Sequence, residues 1–182
     1  MKYLLVLLLS VLAGCEQQQT IVPAEGDAAK PVHGDTFIEA SIGEPNNLLP
    51  VLSSDSASSD INRLVYNGLI RYDKDLRLEG ELAESWEISE DNLTFTFHLR
   101  RGVTWHDGSP FTSADVLFTY EMYINPDVPT SYAEDFLQVA SAETPDPYTF
   151  RVTYEKPYAP ALESWATPIH PKHLLAGQDV TK

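Results

Sequence analysis

Two groups of histidines are the main candidates for catalytic or metal chemistry in this sequence. His106 lies beside Asp107, and an imidazole next to a carboxylate is the pairing used in general-base catalysis. Adjacent residues of an extended segment point in opposite directions, so the pair favours a turn at Asp107 over a catalytic relay. His170 and His173 have a spacing that can place two metal ligands on one helix face. Because Pro171 intervenes and no third ligand is near in sequence, capping or a solvated surface is favoured instead.

Composition and missing motifs exclude several classes of function. The sequence has no His-Glu-x-x-His, no Gly-x-Ser-x-Gly, no glycine-rich phosphate loop and no cysteine cluster. We therefore predict no catalytic residues, no bound metal and no cofactor, and interpret the protein as a non-enzyme. The net charge of -15 provides no basic stripe for phosphates, which predicts that nucleic acid is not a partner.

Cys15 is the only cysteine of the chain and follows the run Leu12–Gly14. Before it, Lys2 precedes an apolar stretch that begins at Tyr3, and this order of charged, apolar and small residues predicts a signal peptide over residues 1–14. The run resembles the lipobox of bacterial lipoproteins, whose cysteine carries lipid and becomes the first mature residue. We predict that lipid on Cys15 anchors the protein to the membrane. An ordinary signal peptide followed by a chance cysteine is the alternative.

The first third of the chain predicts a tether, a strand and a helix. Residues 15–34 are rich in Gln, Ala, Pro and Glu without a sustained period, which is typical of a flexible tether. Alternating residues predict a strand over 36–42. The serine-rich segment 53–60 leads into a helix whose apolar positions have helical spacing, so one face is expected to point inward. Those positions are Ile61, Leu64, Val65 and Gly68.

The remainder of the chain predicts mainly antiparallel strands with one longer helix, and therefore a mixed α/β fold. Period-two alternation marks strands at Leu69–Tyr72, Glu84–Ser89, Leu93–Leu99 and Phe150–Tyr154. Asp91-Asn92 between the second and third of these predicts a hairpin. Thr112 and Asp115 have the spacing of a capping box, which predicts a helix that ends at Asn125. Short helices are predicted within Pro157–Trp165 and from Lys172.

Five runs of residues, in this order, resemble one family. They are Gly43–Pro50, Val65–Asp73, Ala83–Ile88, Thr96–Val116 and Pro168–His173, of which Thr96–Val116 is the most specific. Together they resemble the family 5 extracellular solute-binding proteins, the peptide- and nickel-binding components of ABC importers. The resemblance extends from about Asp35 to about Leu175. It implies a bilobed fold of the type II periplasmic binding protein class, which closes on its ligand and delivers it to a permease.

The resemblance also implies a division of the chain into segments. Residues 35–67 would form the first part of lobe I, residues 68–166 a small side domain with antiparallel strands, and residues 167–182 the start of the return to lobe I. Family members are much longer, so we expect an N-terminal fragment in which the second lobe is absent. Peptide or another small solute and the ABC permease subunits are the expected partners, at the periplasmic or extracytoplasmic face of the membrane. The alternatives are a lipoprotein that senses ligands, and a binder of nickel chelates or oligosaccharides.

The ligand-binding residues that the resemblance implies lie in two places. In peptide-binding members, an extended stretch before the first helix pairs with the ligand backbone by strand-like hydrogen bonds. That stretch corresponds here to Ser54, Asp55, Ser56, Ala57 and Ser58. An aromatic residue after the capped helix lines the pocket, and Tyr132 is the nearest match. The serine run is equally consistent with a solvated loop whose serines cap the helix.

Overall fold

The structure is a computed structural model that describes Gly34, Ile38 and residues 40–181. The predicted signal peptide, Cys15 and nearly all of the predicted tether lie outside the described residues. Contacts divide the chain into Met1–Glu39 and Ala40–Lys182, and every described helix and strand belongs to the second unit. Among the described helices, none has the length and apolar character needed to cross a membrane.

Within the described residues, six strands form two antiparallel sheets. β1 (Ile70–Tyr72) pairs with β2 (Leu78–Gly80). The larger sheet contains β3 (Ala83–Ile88), β4 (Thr94–Leu99), β5 (Val139–Asp146) and β6 (Thr149–Tyr154), in the order β3-β4-β6-β5. The mixed α/β class with antiparallel strands is confirmed.

β4 shows why the alternating pattern produces a half-buried strand. Phe95, Phe97 and Leu99 are buried, and the residues between them are partly exposed. The predicted hairpin between β3 and β4 is also confirmed. At its turn Asn92 adopts a φ of +58°, a value that asparagine tolerates better than most residues, and Asp91 Oδ1 accepts the backbone N–H of Leu93.

The longest described helix, Ser113–Ile124, packs against β5 and β6 of this sheet. The described helices are α1 (Ser56–Val65), α2 (Ser113–Ile124), α3 (Ala133–Phe136) and α4 (Lys172–Leu175), with 3-10 turns at Pro50–Leu52, Ala159–Ala161 and Glu163–Ala166. The predicted capping box is present, and Asp115 Oδ2 accepts the backbone N–H of Thr112 at 2.9 Å. The predicted end of this helix at Asn125 is confirmed. The single short helix expected within Pro157–Trp165 is instead two 3-10 turns.

Aromatic residues hold the sheet to the helices, and Trp165 lies at their centre with 1% of its surface exposed. Its ring contacts Phe97, Phe136 and Phe150 at centroid distances between 4.8 and 5.9 Å. The indole Nε1–H donates to the Tyr154 hydroxyl at 3.2 Å, so the buried polar atom of Trp165 has a partner.

Helix α1 differs from the sequence prediction, because its apolar side is exposed to solvent. Ile61, Leu64 and Val65 are 38%, 77% and 43% exposed, whereas Ser58 and Asn62 are buried. The polar side is buried because its groups have hydrogen-bond partners there, such as the Asn62 Nδ2 donation to Ser53 Oγ at 3.1 Å. The prediction of an inward-facing apolar side is therefore wrong for the described residues.

The strand predicted over 36–42 also differs. Its described positions, Ile38 and Ala40–Ile42, form no strand, and Ile38 and Ile42 are 88% and 97% exposed. A strand requires a hydrogen-bonded neighbour, and none of the six described strands pairs with this segment.

Residues 67–69 lie against residues 165–169, and backbone hydrogen bonds join the two segments. The Leu69 N–H donates to the Trp165 carbonyl and the Ile169 N–H donates to the Asn67 carbonyl, both at 2.9 Å. Gly68 lies between these bonds, and a Cβ there would be 2.6 Å from the Ala166 carbonyl oxygen. This close approach explains glycine at position 68. The segment boundaries that the resemblance implies, at residues 67/68 and 166/167, also fall in this contact. The division of the chain into those segments remains a prediction.

Candidate functional site

An open pocket of about 540 Å³ lies beside the N-terminal half of α1. Its walls are formed by the segment of the first 3-10 turn, by helix α1 and by residues 163–168. Tyr132 lines the pocket as well. Its lining includes side chains with hydroxyl or charged groups, although most of the lining surface is apolar; these side chains are Ser53, Ser56, Ser59, Asp60, Arg63, Glu163 and Thr167.

Two of the predicted ligand-binding residues, Ser56 and Tyr132, line this pocket together although 76 positions separate them in sequence. Ser54 is exposed, and in sequence it lies between Ser53 and Ser56, which both line the pocket. The structure therefore brings the two sequence-predicted regions to one place. Whether they bind ligand remains a prediction.

Asp55 and Ser58 instead organise the start of α1. Asp55 is the N-cap residue: Oδ1 accepts the Ser58 N–H at 2.8 Å, and Oδ2 accepts the Ser58 hydroxyl at 2.6 Å. The Ser58 hydroxyl hydrogen bond is the main reason that the pKa of Asp55 is lowered. Ser58 Oγ also accepts the backbone N–H groups of Asn46 and Asn47, at 3.0 and 3.1 Å. The capping interpretation of the serine run therefore describes these two side chains.

Only part of the predicted extended stretch is extended. Ser53 and Asp55 have β-region dihedrals, with ψ of 131° and 157°, whereas α1 begins at Ser56. Strand-like pairing with a ligand requires extended backbone, which residues 56–58 do not have. The expectation of an extended stretch is therefore wrong for Ser56, Ala57 and Ser58, which belong to the helix, and Ala57 and Ser58 are buried; that these residues bind ligand stays a prediction. Ser54 and Asp55 remain the candidates for backbone pairing.

Tyr132 also lines the pocket and is held by other aromatic rings. It meets Tyr123 edge to face at a centroid distance of 5.4 Å, and Tyr123 stacks on Phe136 at 5.1 Å. The hydroxyl of Tyr123 donates to the Pro168 carbonyl at 3.1 Å. Burial raises the pKa of Tyr123 far above its ordinary value, so this hydroxyl stays protonated and remains a donor.

The charges in the pocket lie on two sides. On α1, Arg63 forms an exposed ion pair with Asp60, one turn apart. Glu163, from a different part of the chain, also lines the pocket, and the pKa of Tyr72 is raised first by desolvation and then by a hydrogen bond to Glu163. Since polar lining groups fix the orientation of ligands, these charged side chains suit a ligand that carries polar or charged groups.

His106 and Asp107 do not form a catalytic pair. Asp107 Oδ1 accepts the Ser109 N–H at 2.9 Å, and Gly108 has a φ of +87°, so the predicted turn is confirmed. Asp107 Oδ2 lies 2.7 Å from Nε2 of His173, which sequence reasoning did not link to it. The Ser109 N–H and then His173 lower the pKa of Asp107 to about 2.

His170 is fully buried, so the expectation of a solvated histidine is wrong for this residue. Nε2 accepts the backbone N–H of Val51 at 3.3 Å, and burial lowers the pKa of His170 to about 4. Val51 is 119 positions away in sequence, which is why local reasoning missed the contact. Within residues 40–181, no group of His, Cys, Asp and Glu is arranged to hold a metal ion.

Comparison with known proteins places these features in one family. The model of the bacterial extracellular solute-binding proteins, family 5 Middle, matches residues 77–179. The oligopeptide-binding protein AppA of Bacillus subtilis is 32% identical over 175 residues, which cover 94% of this chain and 32% of AppA. The glutathione-binding protein GsiB of Salmonella choleraesuis is 31% identical and is matched over 80% of this chain and 28% of its own length.

A solved structure gives the same result. NikZ from Campylobacter jejuni, in complex with Ni(L-His), superimposes with a TM-score of 0.71 at 34% identity, covering 77% of this chain and 28% of NikZ. The chain thus spans about a third of the length of the curated relatives that it matches. The likeness confirms the predicted fold class, part of the bilobed type II periplasmic binding protein fold. The family model covers more than half of the chain, which therefore belongs to the bacterial extracellular solute-binding proteins of family 5.

Proposed function

We propose that this chain forms one wall of the ligand site in the substrate-binding subunit of an ABC importer, which captures peptides or similar small solutes. The observation that carries the proposal is the pocket in which Ser56 and Tyr132 meet. Membership of the family and relatives named for oligopeptides and glutathione support the choice of a peptide as ligand.

The binding mode follows from the backbone beside the pocket. Ser54 and Asp55 are the part of the predicted stretch that lies outside α1, with Ser54 exposed to solvent. A peptide can add to such a segment by backbone hydrogen bonds, which depend little on side chains. Tyr132 then supplies a flat aromatic surface for the ligand on the other side, held in place by Tyr123.

We further propose that lipid on Cys15 holds the protein at the extracytoplasmic face of the membrane, where it passes solute to the permease subunits. The lipobox-like run before Cys15 supports the anchor, and the net charge of -15 is unfavourable for electrostatic attachment to anionic lipid. The importer is the partner implied by the family.

The test measures binding to the longest natural form of the protein. The probes are glutathione, peptides of two to nine residues and Ni(L-His), titrated by calorimetry. We expect saturable binding of a peptide. Saturable binding of Ni(L-His) with no peptide bound would replace the peptide proposal by the nickel-chelate alternative, and absence of binding to every probe would refute the transport function.

A pair of variants at Ser54 tests the backbone-pairing mode. Ser54→Pro removes one N–H donor, and we expect about tenfold weaker peptide binding, the effect of one hydrogen bond of ordinary strength. Ser54→Ala removes the hydroxyl but keeps the N–H, so it should bind like the wild type. If the two variants lose affinity equally, the side chain and not the backbone binds the ligand.

A further inference from the structure

His170 is a buried titratable residue to which the proposed ligand contacts give no role. It lies behind the pocket, where its Nε2 accepts the Val51 N–H at 3.3 Å. Its own backbone N–H donates to Thr119 Oγ1 of α2 at 2.8 Å. An imidazole nitrogen can accept only when it carries no proton, so this bond requires a neutral ring with its proton on Nδ1.

Two walls of the pocket depend on this ring. Val51 lies between Pro50 and Ser53, which both line the pocket, so the Val51 hydrogen bond fixes the turn that forms the first wall. On its other side the ring of His170 meets Tyr123 edge to face at 5.9 Å. Tyr123 in turn supports Tyr132, which belongs to the second wall.

We infer that His170 is a positioning residue of the ligand pocket, which in its neutral form with the proton on Nδ1 holds the Pro50–Leu52 turn and, through Tyr123, the wall at Tyr132. That the pocket binds solute rests on the proposed function, whereas the support of its walls by His170 does not. A proton on Nε2 turns the acceptor into a donor that faces the Val51 N–H, and the bond is lost.

The surroundings give a protonated His170 little compensation. The buried carboxylate of α2, Asp115, is already engaged: its two oxygens accept the backbone N–H groups of Thr112 and Lys172, at 2.9 and 3.0 Å. The 3-10 turn at Pro50–Leu52 contains no titratable side chain. The titratable groups on the other elements around His170 are Tyr66, Asp115 and Tyr123, with Lys172 and His173 on its own segment. Burial without an anionic partner is the main cause of its lowered pKa, and a hydrogen bond to the Pro168 backbone opposes that shift only in part.

The first test needs no ligand and uses the whole chain. Long-range ¹H–¹⁵N spectra at pH 7 should show His170 with its proton on Nδ1. Amide exchange should show Val51 protected, and its protection relative to Tyr154, whose N–H is bonded to the Leu93 carbonyl, should fall about tenfold between pH 7 and pH 4. A proton on Nε2 at pH 7, or a constant Val51 to Tyr154 ratio, would overturn the inference.

Variants separate positioning from general stability. His170→Leu removes the acceptor, and we expect Val51 protection about tenfold lower at pH 7. His170→Gln offers a carboxamide oxygen in its place, so it should restore protection and abolish the pH dependence. His173→Leu, three residues away and partly exposed, is the matched control and should leave Val51 unchanged. If His170→Leu does not fold, the wild-type titration alone decides.

Binding of glutathione by the same variants connects the walls to function. We expect weaker binding by His170→Leu than by His173→Leu. If no variant and no wild-type protein binds any probe, the proposed function fails, whereas the Val51 result still decides the role of His170. Equal binding by His170→Leu and wild type, with Val51 protection lost, would refute the role in positioning the ligand pocket.

Discussion

Replacing Gly68 by alanine tests the crossing of the chain that supports one pocket wall. A Cβ at position 68 would lie 2.6 Å from the Ala166 carbonyl oxygen and 2.7 Å from its carbonyl carbon. These are backbone atoms, so rotation of a side chain cannot relieve the contact. The two segments must move apart, and the flanking hydrogen bonds from Leu69 to Trp165 and from Ile169 to Asn67 lengthen with them.

The expected cost follows from these terms. Overpacking typically costs about 1–3 kcal/mol, and a weakened backbone hydrogen bond costs about 1 kcal/mol. Alanine also reduces the freedom of the unfolded chain, which returns about 0.4–1 kcal/mol. We therefore expect Gly68→Ala to lower the free energy of unfolding by about 2 kcal/mol, within a range of about 1–4 kcal/mol.

Urea unfolding followed by tryptophan fluorescence measures this effect, because Trp165 packs beside the crossing. Gly102→Ala is the matched control: Gly102 has a φ of +75° with no atom near the added Cβ, so it reports conformational strain without a clash. That strain is about 1–2 kcal/mol. A loss for Gly68→Ala no larger than for Gly102→Ala would show that the close approach does not constrain position 68.

Three further predictions follow from single residues. The free energy of unfolding should fall by up to about 3 kcal/mol between pH 6.5 and pH 4, because the unfolded chain takes up a proton at His170 before the folded chain does. Urea unfolding at each pH measures this fall, and His170→Gln should lose the part of the pH dependence that His170 contributes. His173→Leu should raise the pKa of Asp107 from about 2 towards its ordinary value, measured by NMR titration, because it removes the imidazole 2.7 Å from the carboxylate; an unchanged pKa of Asp107 would mean that the pair does not form in solution. Cys15→Ser should leave the protein unprocessed or released from the membrane in fractionation, and retention like the wild type would contradict the lipid anchor.

What the sequence predicts well are features whose signals are local. The alternation through Phe95 and Phe97 predicts β4, and Thr112 with Asp115 predicts the first turn of α2, because each signal involves neighbours within a few residues. Part of the candidate site was predictable for another reason: the family resemblance identified the serine run and Tyr132 as candidate ligand-binding residues. β5 was missed because two register shifts interrupt its alternation with β6.

The failures have a common physical cause, the dependence of burial on distant partners. The apolar spacing of α1 identifies an amphipathic helix, but it does not say which side finds partners within residues 40–181. In this fold Ser58 and Asn62 find hydrogen bonds and are buried, and Leu64 is exposed. His170 is the same case, because its partner Val51 lies far away in sequence.

The capping and ligand-binding interpretations of the serine run are compatible, because they use different atoms. Capping uses the carboxylate of Asp55 and both the hydroxyl and the N–H of Ser58, which together fix where α1 begins. With the helix start fixed at Ser56, the backbone before it has to leave the helix axis in an extended conformation, and Ser54 is exposed beside the pocket. The cap therefore defines the position of the segment that we propose binds ligand. Removing the Asp55 carboxylate should weaken ligand binding even though it need not touch the ligand.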